Sequence, residues 1–389
     1  MSLEPFLVCS GGTTSRCAAN GCLTIDMRHG FNEFLLEEGT NNLKMGSSHN
    51  MISVLIELAK KGRAFPAGLS GLPGIGYIIT GGVSPLSRSQ GLAIDQILKL
   101  EGFWGNGKRF CLTKPTSNTD KNKKIMWKGL CGAAPFLGVI TSLKLETTSI
   151  PSIQVIKIRP STKQLSNLIR EAEKWPNTIS LQWFWKDRIT AYIVILLQSK
   201  SRNQQTIEIR KNLLSNYDAQ AFFYTGLNSF YSLLQEEQPT QRKVKVHSEV
   251  ISLLSPGWGT NSEDLTQKIK MLLEKRPHPE CSIASQQLGG NTKINCDNLT
   301  SFIHREAIWK PWITGSWNAG DASGKKSSLR WVLETWEALE PFCPWIHMAQ
   351  LHSHLPWHQR EIDCAFGDWL PGLKQLKDKC DPNNLMAPL

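Results

Sequence analysis

The stretch from Ala64 to Val83, AFPAGLSGLPGIGYIITGGV, sets six glycines and two prolines among small apolar residues. Gly68, Gly71, Gly74, Gly76, Gly81 and Gly82 carry no Cβ, so the backbone can take positive φ and a ligand can lie directly against peptide N–H groups. This composition favours a loop that holds a bulky anion. It has neither the Gly-Lys-Ser/Thr ending of a P-loop nor the strand-to-helix fingerprint of a dinucleotide fold. Standing alone, it reads equally well as a surface loop that binds nothing.

A second stretch of the same character lies upstream. In FLVCSGGTTS a short apolar strand runs into Ser10-Gly11-Gly12-Thr13-Thr14-Ser15, where N–H groups and hydroxyls can converge on a phosphate. Between the two, Cys22 to Met27 reads as a buried strand and FNEFLLEEGTNNLKMGSS as a hairpin. Ser48 is placed to cap a helix from His49 to Lys61, with Ile52, Leu55, Ile56 and Ala59 on one face. Downstream, Leu92 to Trp104 and Arg109 to Thr113 pair about Gly105-Asn106-Gly107. Asp120 opens a short basic helix to Lys128, and LCGAAPFLGVITSLKLETTSIP feeds an alternating strand.

From Pro151 the composition shifts. SIQVIKIRP alternates as a strand, and Ser161 with Gln164 forms a capping box for a helix whose Leu165, Leu168, Ile169, Ala172 and Trp175 share a face. ISLQWFWKDRITAYIVILLQ gives two strands around Lys186-Asp187-Arg188. Helices are expected over Ile207 to Ser215 and Glu263 to Lys275, and strands over Ser282 to Leu288 and Ser301 to Trp309. The whole is an α+β chain, and 389 residues suit two domains better than one core.

The net charge of +11 fits phosphorylated ligands, acidic surfaces or nucleic acid. Yet the basic runs Lys121 to Lys128 and Gln241 to Lys245 are short, with only Trp127 as a stacking platform, and read as solvated faces. Nucleic-acid binding is therefore only a third reading. Ten cysteines without a Cys-x-x-Cys pair suggest reduced thiols. With no signal-like start and no long apolar run, a cytoplasmic protein without membrane contact is expected.

Gly11-Gly12, PAGLSGLPGIGYIITGG, LSRSQGLAIDQIL and GVITSLKL, in that order, resemble the PCMH-type FAD-binding domain of the berberine-bridge-enzyme-like flavoproteins, in the vanillyl-alcohol-oxidase superfamily. Leu288-Gly289-Gly290, LTSFIHREAIWKPWITGSW and LKQLKDKCDPNNLM resemble that family's substrate domain and closing segment. The resemblance implies an FAD-binding domain over residues 1–150 and an antiparallel-sheet substrate domain over 151–341. A segment over 342–389 is expected to return to the first domain. It implies FAD as cofactor, with Ser10 to Ser15 at the pyrophosphate and Gly68 to Val83, including Ser70, Gly74, Ile75, Gly76, Gly81 and Gly82, along diphosphate and ring. Gly138, Val139 and Ile140 are expected beside a ring. Asp95 is either a polar contact to the cofactor or a structural hydrogen-bonding residue.

The departures shape the expected chemistry. Thr13 stands where the family commonly has a flavin-linked histidine, and Ser70 where some members have a second linking cysteine; a neutral hydroxyl makes neither bond, so FAD is expected to be held non-covalently. The strand and helix that usually precede the first glycine turn are missing from this sequence, so an unpartnered edge strand and a more open flavin are expected. Trp369 stands at the place of an asparagine that touches the flavin, either stacked on its edge or marking a decayed site.

The family's base region carries a tyrosine. WIHMAQLHSHLPWHQRE has none, which leaves His352 or His354 as candidate base. His354 and His358 could share a helix face as metal ligands, but Pro356 interrupts it, and no metal is expected. Trp183, Trp185, Trp309, Trp312 and Trp317 either line a substrate cleft or fill the core. The function expected is FAD-dependent oxidation of a small alcohol, sugar or similar C–H donor, with oxygen or another acceptor taking the electrons. The alternative is a relative that binds flavin or ligand without turnover.

Overall fold

The structure, a computed structural model, describes residues 4–14, 17–197, 204–226, 245–293 and 298–389. Apolar strands build two main antiparallel sheets: burial alternates along first-sheet strands such as Gly138–Glu146, whereas second-sheet strands such as Ile189–Leu197 are buried on both faces. The first contains β3 (Phe34–Leu36), β4 (Asn42–Gly46), β6 (Ile97–Trp104), β7 (Arg109–Thr113) and β8 (Gly138–Glu146), in the order β3-β4-β8-β6-β7. Its N-terminal flank is a parallel pair, β1 (Phe6–Cys9) with β2 (Leu23–Asp26), and β5 (Arg63–Ala64) pairs with β9 (Thr148–Ser149).

The second sheet has eight strands. These are β10 (Ser152–Ile158), β11 (Ile179–Trp185), β12 (Ile189–Leu197), β13 (Ala219–Thr225), β14 (Val246–Leu254), β15 (Ser282–Gln287), β16 (Trp309–Asn318) and β17 (Trp345–Ile346), in the order β13-β10-β12-β11-β15-β16-β14-β17. Along β16 the side chains alternate between faces. Gly315 packs against Val332 of the helix Ala322–Leu339, so that face meets the helices, and the intervening Lys310 and Trp312 point the other way, toward the first sheet's domain.

Several local expectations are met by identifiable bonds. Ser161 Oγ accepts from the Gln164 N–H and Gln164 Oε1 accepts from the Ser161 N–H, so the capping box opens the helix Thr162–Ala172 with Leu165, Leu168, Ile169 and Ala172 buried. Asp120 caps the helix Lys121–Ala133, which kinks at Cys131 and Gly132.

Others need correction. Asn50, not Ser48, caps the helix Met51–Ala59: the Ser48 hydroxyl donates to the Phe31 carbonyl, while Asn50 Oδ1 accepts from the Ser53 N–H. Strand β2 is mostly exposed rather than buried. Ala93–Gln96 form a 3-10 turn before β6, because Asp95 reaches back to the Leu92 N–H. The glycine-rich stretch contains a short helix, Ile75–Ile79.

Residues 301–308 form no strand. They cross to the first domain instead, where the Ser301 N–H donates to the Cys131 carbonyl and Arg305 pairs with Asp95. The C-terminal segment divides in the same way. Its β17 stays with the second sheet, whereas the helices His358–Phe366 and Leu370–Cys380 lie on the first domain, with Phe366 edge-on to Phe136 at 5.7 Å and the Asn106 N–H donating to the Cys380 carbonyl.

Candidate flavin cleft

Two glycine-rich turns far apart in sequence meet back to back. A Cβ on Gly11 has no room beside the backbone of Gly74 and Pro73, and a Cβ on Gly74 collides with Ser10 and Gly11. Only glycine at both positions allows this approach. Together the turns form one side of a cavity of about 580 Å³. Its other walls come from Gly138, Val139 and Ile140 of β8, from the sheet face of Val250, Ser252, Gln286, Lys310 and Trp312, and from the loop around Met348 to Ser353.

The expected cofactor residues divide by position. Ser10, Gly11, Gly12, Thr13, Thr14, Gly68, Ser70, Gly74, Ile75, Gly76, Gly138, Val139 and Ile140 line the cavity, and Ser15 lies outside the described residues. Gly81, Gly82 and Val83 sit behind the wall instead. Gly81 packs on His347 and Phe302, Gly82 on Ala93, and the Val83 carbonyl accepts from the Tyr77 hydroxyl at 2.8 Å. Asp95 is also away from the cavity, in a bidentate pair with Arg305 at 2.9 Å on both oxygens. Trp369 donates its indole N–H to Ser301 Oγ at 2.8 Å and lies under the Lys128 ammonium, again off the wall.

The walls suit a flavin dinucleotide on their own chemistry. Among the described residues, the N–H groups of Gly11, Gly12, Thr13 and Thr14 have no acceptor, so the turn presents consecutive donors that a pyrophosphate can satisfy. Gly76 has open space where a side chain belongs, and the buried Ser47 hydroxyl on the wall has no partner among the described residues. The remaining lining is largely apolar, as a flat ring requires.

His352 and His354 stand behind the loop whose Leu351 and Ser353 reach the cavity. The His352 Nδ1 is 2.7 Å from Glu361 Oε1 and its Nε2 is 3.3 Å from Glu249 Oε1; His354 Nε2 is 3.2 Å from Glu249 Oε2. Burial disfavours a charged His352 ring, but the two carboxylates outweigh it and hold the pKa up at about 9. A buried ring hydrogen-bonded to Glu361 through Nδ1, with a second carboxylate favouring its charged form, is poorly placed to accept a substrate proton. Among the described residues no set of three or more His, Cys, Asp or Glu side chains is disposed to hold a metal ion.

Of the five tryptophans considered, Trp312 lines the cavity. Trp183 and Trp309 are fully buried around Trp258, with Trp309 stacked on it at 4.9 Å. Sequence reasoning passed over Lys310. Its signal was present in IWKPWITGSW, where a lysine shares the i, i+2 face of a strand with a tryptophan. Lys310 is 5% exposed, and burial alone pushes its pKa down to about 8.

No family model matches the chain. It is 22% identical over 352 residues to "Uncharacterized FAD-linked oxidoreductase YgaK" of Bacillus subtilis, covering 83% of this chain and 71% of that protein. Against "Cannabidiolic acid synthase-like 2" of Cannabis sativa the identity is 23%, over 72% of this chain and 56% of the relative. Among solved structures, Physcomitrella patens BBE-like 1 superposes with a TM-score of 0.81 at 17% identity, over 99% of this chain and 85% of the other. A chitooligosaccharide oxidase gives 0.82 at 16% identity, over 98% and 85%. Berberine bridge enzyme from Eschscholzia californica gives 0.78 at 16%, over 100% and 84%. The chain thus shares the fold of these berberine-bridge-enzyme-like structures, and the relatives it resembles in sequence include proteins named as FAD-linked oxidoreductases.

Proposed function

We propose that the protein is an FAD-dependent oxidoreductase that oxidises a small alcohol, sugar or similar C–H donor, with FAD held non-covalently. The observation that carries this reading is the meeting of the two glycine-rich turns on one cavity, one of them with N–H donors that no acceptor among the described residues satisfies. Ser10 to Thr14 and the turn from Gly68 to Gly76 hold the dinucleotide, and Gly138 to Ile140 offer small, flat wall. When bound, FAD supplies a hydride-accepting ring; the chain supplies binding, orientation and exclusion of water.

The sheet face of Val250, Ser252, Gln286, Lys310 and Trp312 is the natural substrate platform, since it closes the same cavity from the other domain. Trp312 offers a flat apolar surface for a sugar or aromatic ring, and Gln286 and Ser252 offer hydrogen bonds. Thr13 and Ser70 form no link to the cofactor. Oxygen or another acceptor takes the electrons.

The test is direct. Purified protein incubated with FAD should turn yellow, release all flavin into the acid-soluble fraction on denaturation, and bleach anaerobically with a member of a panel of chitooligosaccharides, cellobiose and benzylic alcohols. A colourless protein that takes up no FAD overturns the reading. Bound flavin that no donor bleaches favours a ligand-binding relative.

A further inference from the structure

Lys310 is an unusual group in this cavity. It is buried in the sheet face and belongs to the cavity lining, with its ammonium 5.1 Å from the centre of the Trp312 ring. Gln286 stands opposite it on β15. Among the described residues no carboxylate pairs with it, and the titratable group that feels its charge is His347. That ring cannot neutralise it: burial and the nearby lysine push the His347 pKa down to about 3, and its Nε2–H donates to the Thr80 carbonyl at 2.9 Å. An ammonium in an apolar wall without a counter-charge is costly, and losing its proton relieves the cost.

The other titratable side chains on the described wall are less suited to accept a proton from a donor. Tyr77 gives its hydroxyl hydrogen to the Val83 carbonyl, and burial holds that proton more tightly still. Cys17 and Cys22 belong to the segment that follows the first glycine turn. The sheet-side wall, formed by the second domain, carries Lys310 as its titratable group.

The geometry points to Lys310 as the proton acceptor of the oxidation, a catalytic residue in place of the histidines. The inference rests on the oxidoreductase reading. With FAD bound as the oxidant, the donor's O–H proton would pass to the lone pair of the neutral amine while the carbon's hydrogen would leave with its electron pair, which the cofactor would take up. A C=O bond forms in the product, and the resulting ammonium returns its proton to water. A lysine brought to about 8 is neutral often enough at neutral pH to serve as a base, and remains basic enough to pull the proton.

The first measurement needs no substrate. Competitive acetylation of the FAD-loaded protein across pH 6 to 11, read peptide by peptide by mass spectrometry, should show Lys310 titrating about two units below the exposed lysines. Titration together with them overturns the proposal. The second measurement follows anaerobic flavin bleaching by the donor that works in the functional panel. Wild type should gain rate with a pKa near 8. Lys310→Met should lose that limb and about 10²- to 10⁴-fold in rate with flavin content unchanged.

Lys310→Arg keeps the charge but offers no base, so a wild-type rate in that variant also overturns the assignment. If Lys310→Met fails to fold, Lys310→Ala with added ethylamine replaces it, and amine-dependent recovery of bleaching supports the role. A colourless wild-type protein sinks the oxidoreductase reading and the base with it. A yellow protein whose Lys310 labels like a surface lysine sinks the base alone.

Discussion

Single residues decide how the cofactor is held. Thr13 and Ser70 face the cavity with hydroxyls in place of linking side chains, so a denaturing gel of the holoprotein should show no flavin fluorescence at the protein band. Gly11 presses on the backbone of Gly74, and no side-chain rotation can relieve a clash with backbone. Gly11→Ala should therefore cost about 1–3 kcal/mol of stability and lower FAD occupancy, measured by thermal denaturation and the flavin-to-protein absorbance ratio. The His352 cluster has its own pH signature. A ring whose folded pKa is raised to about 9 contributes stability that is complete below its unfolded value near 6.5 and is lost as pH rises through 9. The melting temperature should fall across that window in wild type, and fall less in His352→Gln.

At the scale of elements, the segment from Ser301 to Ile308 reaches from the second sheet to Cys131 and Asp95 instead of extending a strand. Arg305 carries that role, with both nitrogens on Asp95 and further bonds to Thr300 and Phe302. Arg88 does the same from the other side: its buried guanidinium donates to the carbonyls of Trp175, Ile179 and Leu288 in the second domain. Breaking one partner of a buried pair leaves the other charge uncompensated. Asp95→Ala should thus cost about 3–5 kcal/mol in chemical denaturation, more than deletion of the exposed Lys60–Glu57 pair, which should cost at most about 1 kcal/mol. The hairpin at Gly105 to Gly107 and the capping box at Ser161 were legible because each is closed by bonds between near neighbours. The crossing at 301–308 was not, since an apolar residue such as Phe302, which packs on Gly81 and Gly132, carries no local signal that separates it from a strand residue.

For the molecule as a whole, the cavity lies between the glycine turns with the first sheet's β8 and the face of the second sheet. One wall belongs to the first domain's turns and β8, the opposite wall to the second sheet, and the loop at 348–353 closes it under the Glu249–His352–Glu361 cluster. A ligand that bridges these walls stabilises the joined state by mass action. Raising free FAD to about a hundred times its dissociation constant should add about 2.7 kcal/mol, read as a concentration-dependent rise in melting temperature. The sequence by itself determined the glycine turns, the hairpins, the apolar strands of the second sheet and the hydroxyl side chains at Thr13 and Ser70, because these depend on residue type and local spacing. Tertiary structure alone decided that the two turns share one cavity, that Asp95 and Trp369 stand apart from it, and that His352 lies between two carboxylates while Lys310 lines the cavity. Proximity between residues hundreds of positions apart, and the burial that moves a lysine's proton affinity, exist only once the sheets have packed.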